Sequence, residues 1–296
     1  MRRHLTLAAL CLGLPLSISA AEVTLVGSDL LRSALEKPLA GAKVADARVL
    51  RLRLDGSLGA LDDVRAGRAD LAVVANASSD APPEGGVRLI PLAYQVAVVA
   101  VNAGNPLRQM SLEQLSGVFG DKEPTDHRQW GSLGLANEWA EKSIMANLFA
   151  DPDSLALDLF RQTVLHVPEL KPTVAQQPSF DELLHRVRVD ETCIGMFPRP
   201  LTDPDGVRVL LIARSDRDVP FGPTAENVHN GDYPLRLPFC IALKADRAVE
   251  LAPAVERLLS DEVAAALEQA GFVAVPAAAR LHARRELGAR PEAPQP

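Results

Sequence analysis

The chain has 296 residues, 47% of them hydrophobic and 4% aromatic, more than one compact core needs and enough for two lobes of ordinary size. Its formal charge of −7 speaks against nucleic acid and anionic membrane as partners, which are held through clustered Lys and Arg. After the N-terminal leader, charges or prolines interrupt every apolar run well short of the roughly 20 residues that span a bilayer.

Arg2 and Arg3 precede an apolar run over residues 5–18, and Ser19, Ala20 and Ala21 follow it. This is the layout of a secretory signal peptide, and cleavage after Ala21 puts small residues where the peptidase needs them. A lipoprotein reading at Cys11 fails because the bulky Leu10 precedes it. The mature chain is expected to begin near Glu22 outside the cytoplasm, and loss of Arg2 and Arg3 takes its charge from −7 to −9. Of the three cysteines, Cys193 and Cys240 survive processing, and one disulfide or two buried thiols are both open.

Strand-like and helix-like segments then alternate, as in an α/β chain whose sheets are covered by helices. VTLVGS (23–28) reads as a strand leading into a short helical stretch from Leu30. RVLRLRLDG (48–56) is the next strand, and the helix after it should bury Leu58, Leu61 and Val64 before Gly67 ends it. ADLAVVA (69–75) is a third strand, and LIPLAYQVAVVAVN (89–102) reads as one long buried strand. Ser111 and Gln114 form a capping box for SLEQLSGVF, and Ser179 with Glu182 repeats the pattern in PSFDELLHRV. A last long helix is expected over 250–270, and residues 277–296, rich in Ala, Arg and Pro, as a disordered tail.

The order of these segments carries a resemblance. PLAYQVAVVAVNAGNPLRQMSLEQLSGVFG (91–120), Trp130 and Gly134 in WGSLG, CIGMF (193–197), and Asn230, Gly231, Tyr233 and Pro234 in the run 223–243 follow one another as in the PstS-like phosphate-binding proteins of bacterial ABC importers. The resemblance implies a two-lobed α/β periplasmic binding-protein fold (type II), with two crossing segments and the ligand in the cleft between the lobes. Lobe 1 would take residues 22–98 and 224–276, and lobe 2 residues 99–223. It further implies a monomer that binds a small solute, in this family an oxyanion, and hands it to an ABC permease or another envelope protein, with no cofactor.

An oxyanion site needs N–H groups at helix N-termini, hydroxyl donors and usually an arginine. The ligand contacts carried over by the resemblance are Ser28, Asp29, Ser57, Asn76 and Ser154. Ser57 stands intact between Gly56 and Gly59, whereas Leu30 takes a slot the family gives to threonine, and Ala75 followed by Asn76 replaces a serine. In the family's Arg-x-x-x-Ser-Gly-Thr loop, Ser154 keeps the serine, while Ala150, Leu155 and Ala156 replace the arginine, glycine and threonine. The expectation is a solute-binding scaffold that does not hold free phosphate tightly. A non-transport module, sensor or envelope adaptor, is the alternative.

Plain helix caps compete with ligand contact for Ser28, Ser57, Ser154, Asp29 and Asp153, and strand packing competes with cleft lining for Tyr94. His127, His166, His185, His229 and His282 show no metal-ligand spacing and are expected at the solvated surface. With no nucleophile elbow, zinc signature, P-loop or dinucleotide fingerprint, no catalytic residue is assigned.

Overall fold

The computed structural model describes residues 22–44, 48–76 and 86–288, so the expected signal peptide lies outside the described residues. In chain order the strands are β1 (Glu22–Gly27), β2 (Lys43–Val44), β3 (Arg48–Arg53), β4 (Leu71–Ala75), β5 (Val87–Val96), β6 (Val98–Asn102), β7 (Gln109–Ser111), β8 (Met145–Leu148), β9 (Ala175–Gln176), β10 (Cys193–Phe197), β11 (Val207–Val209), β12 (Leu211–Ala213), β13 (Arg236–Lys244) and β14 (Val273–Ala274). The helices are α1 (Arg32–Leu39), α2 (Ala60–Arg65), α3 (Leu112–Phe119), α4 (Ala156–Val164), α5 (Phe180–Val189), α6 (Ala225–Asn230), α7 (Ala248–Leu258), α8 (Asp261–Gln269) and α9 (Ala277–Gly288).

Two main sheets divide the strands. The larger has the order β14-β5-β13-β4-β1-β3-β2, and the smaller β11-β6-β10-β8-β9. In the larger sheet β1 runs parallel to both β3 and β4, and period-two alternation sends side chains to two covered faces. Along β4, Leu71 and Val73 join α1, α7 and α8 on one face, while Ala72 and Val74 meet Ala60 and Val64 of α2 on the other. The smaller sheet gathers its own core, with Trp130, Phe119, Phe160 and Phe197 fully buried.

The apolar run read as one strand is in fact two. β5 ends in the larger sheet at Val96 and β6 begins in the smaller at Val98, leaving Ala97 as the crossing point. Ala97 cannot pair within either ladder, so its N–H donates to Leu235 O (3.1 Å) and its carbonyl accepts from the Tyr233 hydroxyl (2.8 Å). Both partners sit on the returning segment between α6 and β13, so the two crossings brace each other. The result is a two-lobed α/β fold with two crossing segments.

Three expectations about local structure change. The long C-terminal helix is broken between α7 and α8, because the Ser260 hydroxyl caps α8 by accepting from Val263 N (3.3 Å) with Asp261 and Glu262 in the first turn. Residues 277–288 form α9 rather than belonging to a tail. Leu287 is buried in the larger lobe's core, and Arg280 donates to Val275 O (2.6 Å) and pairs with Asp261, so the Ala and Arg content serves a docked helix. Leu58 is fully exposed, since α2 starts only at Ala60 and buries Ala60 and Val64.

The capping box of α3 forms in full, Ser111 Oγ accepting from Gln114 N (3.2 Å) and Gln114 Oε1 from Ser111 N (3.0 Å). At α5, Ser179 Oγ accepts from Glu182 N (3.1 Å). Cys193 and Cys240 are free buried thiols on different sheets, pushed up to about 12 and about 11 by burial.

An ionic network ties α7 to the strands. Arg247 pairs with Asp70 (2.6 Å) and Glu250 (2.8 Å), and Arg48 reaches Glu250 (2.8 Å). Hydrogen bonds from Arg247 first, then Arg48, hold the Glu250 carboxyl down to about 2 from 4.5. A depressed folded pKa means stability present above the unfolded value and lost as the pH falls from 4.5 towards 2. Because the Glu250 side chain is 45% exposed, solvent screening limits the effect to about 0.5–1 kcal/mol. Glu250→Gln should therefore lower stability slightly at pH 7 and flatten the acid limb of a melting-temperature profile, which differential scanning calorimetry across that range can measure.

Candidate functional site

In open parallel sheets, ligands sit beyond the carboxyl ends of the strands. Three such ends meet here. Gly27 closes β1 at φ +132°, where an added Cβ would lie 2.0 Å from Val73 O. That close approach lets Ser28 N donate to Val73 O (2.9 Å) and Gly56 N to Gly27 O (2.9 Å), which gathers the loops after β1, β3 and β4 at one edge. Ser28 is 2% exposed, and its side chain makes no cap bond. Asp29 is exposed in the first turn of a 3-10 segment. Ser57 is exposed, and its carbonyl rather than its hydroxyl accepts from Ala60 N (3.2 Å). Asn76 is half-buried, with its N–H donating to Pro238 O (2.9 Å).

Ser154 comes from the other lobe, at the start of α4. Its hydroxyl oxygen accepts from Gln95 Nε2 (2.7 Å) and from Ala156 N (3.1 Å). The same Gln95 accepts from Leu155 N at Oε1 (3.0 Å). A side chain from the crossing strand thus occupies the Leu155 N–H at the start of a second-lobe helix, one of the groups an anion would use. Sequence reasoning does not single out Gln95, although a lone amide between Leu89 and Val101 is its signal.

The substituted positions acquire a packing role. Leu30, Ala75 and Leu155 all pack against the core of the larger-sheet lobe, so hydrocarbon stands at two of the family's hydroxyl slots and at the glycine of its loop around Ser154. The Arg32 guanidinium near the Ser57 loop is directed elsewhere, donating to Leu54 O (Nε, 3.2 Å) and pairing with Asp55 (3.1 Å). Gln95→Leu should leave Leu155 N without its acceptor and Ser154 Oγ with one donor fewer in a part-buried setting, lowering stability by about 1–3 kcal/mol in urea unfolding.

At the hinge, Tyr94 is 1% exposed and its hydroxyl meets His229 Nδ1 (2.9 Å), with Arg236 above the ring (5.4 Å). Tyr94 is packed rather than lining an open cleft. Burial pushes its phenol up to about 12, against the opposing pull of Arg236. Burial, and then Arg236, lower His229, so this ring is a neutral hinge residue and not the solvated surface group expected. Among the described residues His127 Nδ1 meets Ser132 Oγ (2.9 Å), but the Ser132 hydroxyl donates to Gln129 O (2.7 Å). The imidazole therefore donates from Nδ1 and cannot draw off the serine proton, so the pair lacks the geometry of an activated nucleophile. Among the described residues no cluster of His, Cys, Asp and Glu is suited to a metal ion.

No family model matches the chain. It is 25% identical over 153 residues to the phosphate-binding protein PstS of Pseudomonas aeruginosa, covering 49% of this chain and 46% of that relative, so the match spans about half the relative's length. In fold it is similar to PstS of Borrelia burgdorferi (TM-score 0.67, 14% identity, 86% of this chain and 99% of that one). A possible phosphate-binding protein of Planctomyces limnophilus is also similar (0.64, 16%, 90% and 98%), as is an ABC-type phosphate transport receptor of Vibrio cholerae (0.63, 18%, 86% and 99%). These relatives are named as binding proteins or receptors, not enzymes. In sequence across about half its length and in fold across most of it, the chain is similar to the PstS-like family and has that family's two-lobed periplasmic binding-protein architecture.

Proposed function

We propose that the chain is a signal-peptide-directed, extracytoplasmic solute-binding protein on a PstS-like scaffold, with Ser28, Asp29, Ser57, Asn76 and Ser154 around its cleft, and that free phosphate is not its tight ligand. Residues 22–98 with 224–276 form lobe 1 in this reading, with α9 added to it, and residues 99–223 form lobe 2. The protein works in the periplasm as a monomer, without a cofactor, and passes its state to an ABC permease or another envelope protein.

The observation that carries the phosphate part is the start of α4, where Leu155 packs into the opposite lobe, Gln95 Oε1 accepts from Leu155 N, and Gln95 Nε2 donates to Ser154 Oγ. Hydrogen bonds to a charged group contribute roughly 1.5–3 kcal/mol each, so losing about three weakens an anion by roughly 5 kcal/mol or more, some thousands-fold. A thermal-shift panel of phosphate and other small oxyanions on the mature protein tests this. Millimolar phosphate should leave the melting temperature within about 1 °C, and a shift of several degrees at micromolar phosphate would refute the reading.

The second reading, a module that signals or adapts without transport, draws on the same contact. Leu155 and Gln95 join the lobes through the protein's own groups. A receptor held together in this way presents its joined surface to a partner without waiting for solute, since a ligand shifts closure only through its difference in affinity between states.

A further inference from the structure

On the flank of the hinge beside β14, a crevice of about 440 Å³ separates the lobes. Phe180, Arg199 and Pro200 line it from the side of α5 and β10, and Pro223, Phe272 and Val273 from the side of α6 and β14. These residues belong to neither the strand-tip loops nor the α4 start.

Arg199 is the feature that calls for a ligand. It is half-buried, and its guanidinium lies over the Phe180 ring at 4.4 Å. Among the described residues it donates no hydrogen bond and forms no ion pair, although many arginines of the chain have a carboxylate or carbonyl partner. Its stem is held in place by Gly271, at φ +89°, where a Cβ would come 2.8 Å from Arg199 Cδ. Glu268 also lines the crevice, yet it makes no ion pair with Arg199. A planar five-donor fork thus lies between aromatic and proline walls with no protein acceptor among the described residues.

We propose that this crevice is a second binding site, for a small organic carboxylate with a flat apolar body. The carboxylate takes the guanidinium fork in a bidentate pair, and the body packs between Phe180, Phe272 and the two prolines. An occupant would touch both lobes at once and so favour whichever lobe arrangement keeps the crevice at this width. The site is independent of phosphate and of the cleft contacts described above.

Titration calorimetry with benzoate on the mature protein tests the proposal, with acetate (charge without body) and benzyl alcohol (body without charge) as companions. Benzoate should bind saturably, and each companion about tenfold more weakly or worse. Arg199→Met keeps the stem over Gly271 and should weaken benzoate by about tenfold or more while leaving benzyl alcohol unchanged. Arg199→Lys retains the charge without the fork, should weaken benzoate by a smaller factor, and serves alone if the Met variant does not fold. Absence of saturable benzoate binding, or benzoate binding unchanged in the variants that fold, would overturn the assignment.

Discussion

Gly27→Ala is expected to prevent the mature protein from accumulating in folded form. Position 27 lies at the end of β1 with φ +132°, a conformation L side chains rarely adopt, and the added methyl would lie 2.0 Å from Val73 O and 2.8 Å from Val73 N. Both obstacles are backbone of the neighbouring strand β4, so no side-chain rotation relieves them. To make room, β1 must move off β4, which breaks the Ser28 N to Val73 O bond and displaces Gly56 N from Gly27 O. A loss above about 4 kcal/mol is expected, a large fraction of the stability of an ordinary protein. Circular dichroism and urea unfolding of any soluble product check it. A variant with wild-type unfolding would mean that β1 and β4 do not approach as described.

The second large effect is a gain. Replacing Ala150, Leu155 and Ala156 with Arg, Gly and Thr rebuilds the family's loop around Ser154, and phosphate affinity should rise by about a hundredfold or more. The arginine supplies the charge-matched fork, the glycine withdraws the hydrocarbon that packs into the facing lobe, and the threonine adds a hydroxyl at the first position of α4. Removal of Leu155 from the larger lobe's core should lower stability by about 2 kcal/mol, less than the loss of a fully buried leucine because it is only partly buried. Calorimetry of the triple variant beside each single one separates the terms, and Ala150→Arg is expected to give the largest single gain. If the triple variant bound phosphate no better than the parent, position 154 would not face the cleft as proposed.

Much of the architecture was legible in the residues because its signals are local. Alternation in β4, the Ser111–Gln114 box and the glycine-bounded strand ends each depend on a few neighbours, and the order of segments pointed to two lobes. What escaped depends on contacts distant in sequence. Ala97 becomes a crossing only because Leu235 and Tyr233, more than 130 residues away, satisfy its backbone, so nothing within the apolar run marks the division. The docking of α9 rests on Leu287 and Arg280 finding the larger lobe, which composition cannot foresee.

The site divides along the same line. The replacements at Leu30, Ala75 and Leu155 could be read directly, but their gathering against one core could not. Gln95 is the clearest case, since its signal is one polar letter in a buried strand and its partners, Ser154 and Leu155, lie some 60 residues away. His229 deceived for the opposite reason, because a helix C-terminal histidine in a polar stretch looks solvated until Tyr94 arrives from the other crossing.

Titration of inorganic phosphate into phosphate-free wild-type mature protein bears most directly on the whole account. A cleft whose helix N-terminus is already capped by Gln95 and whose arginine slot holds Ala150 should give a dissociation constant in the millimolar range or no measurable heat. A micromolar constant with one-to-one stoichiometry would contradict it.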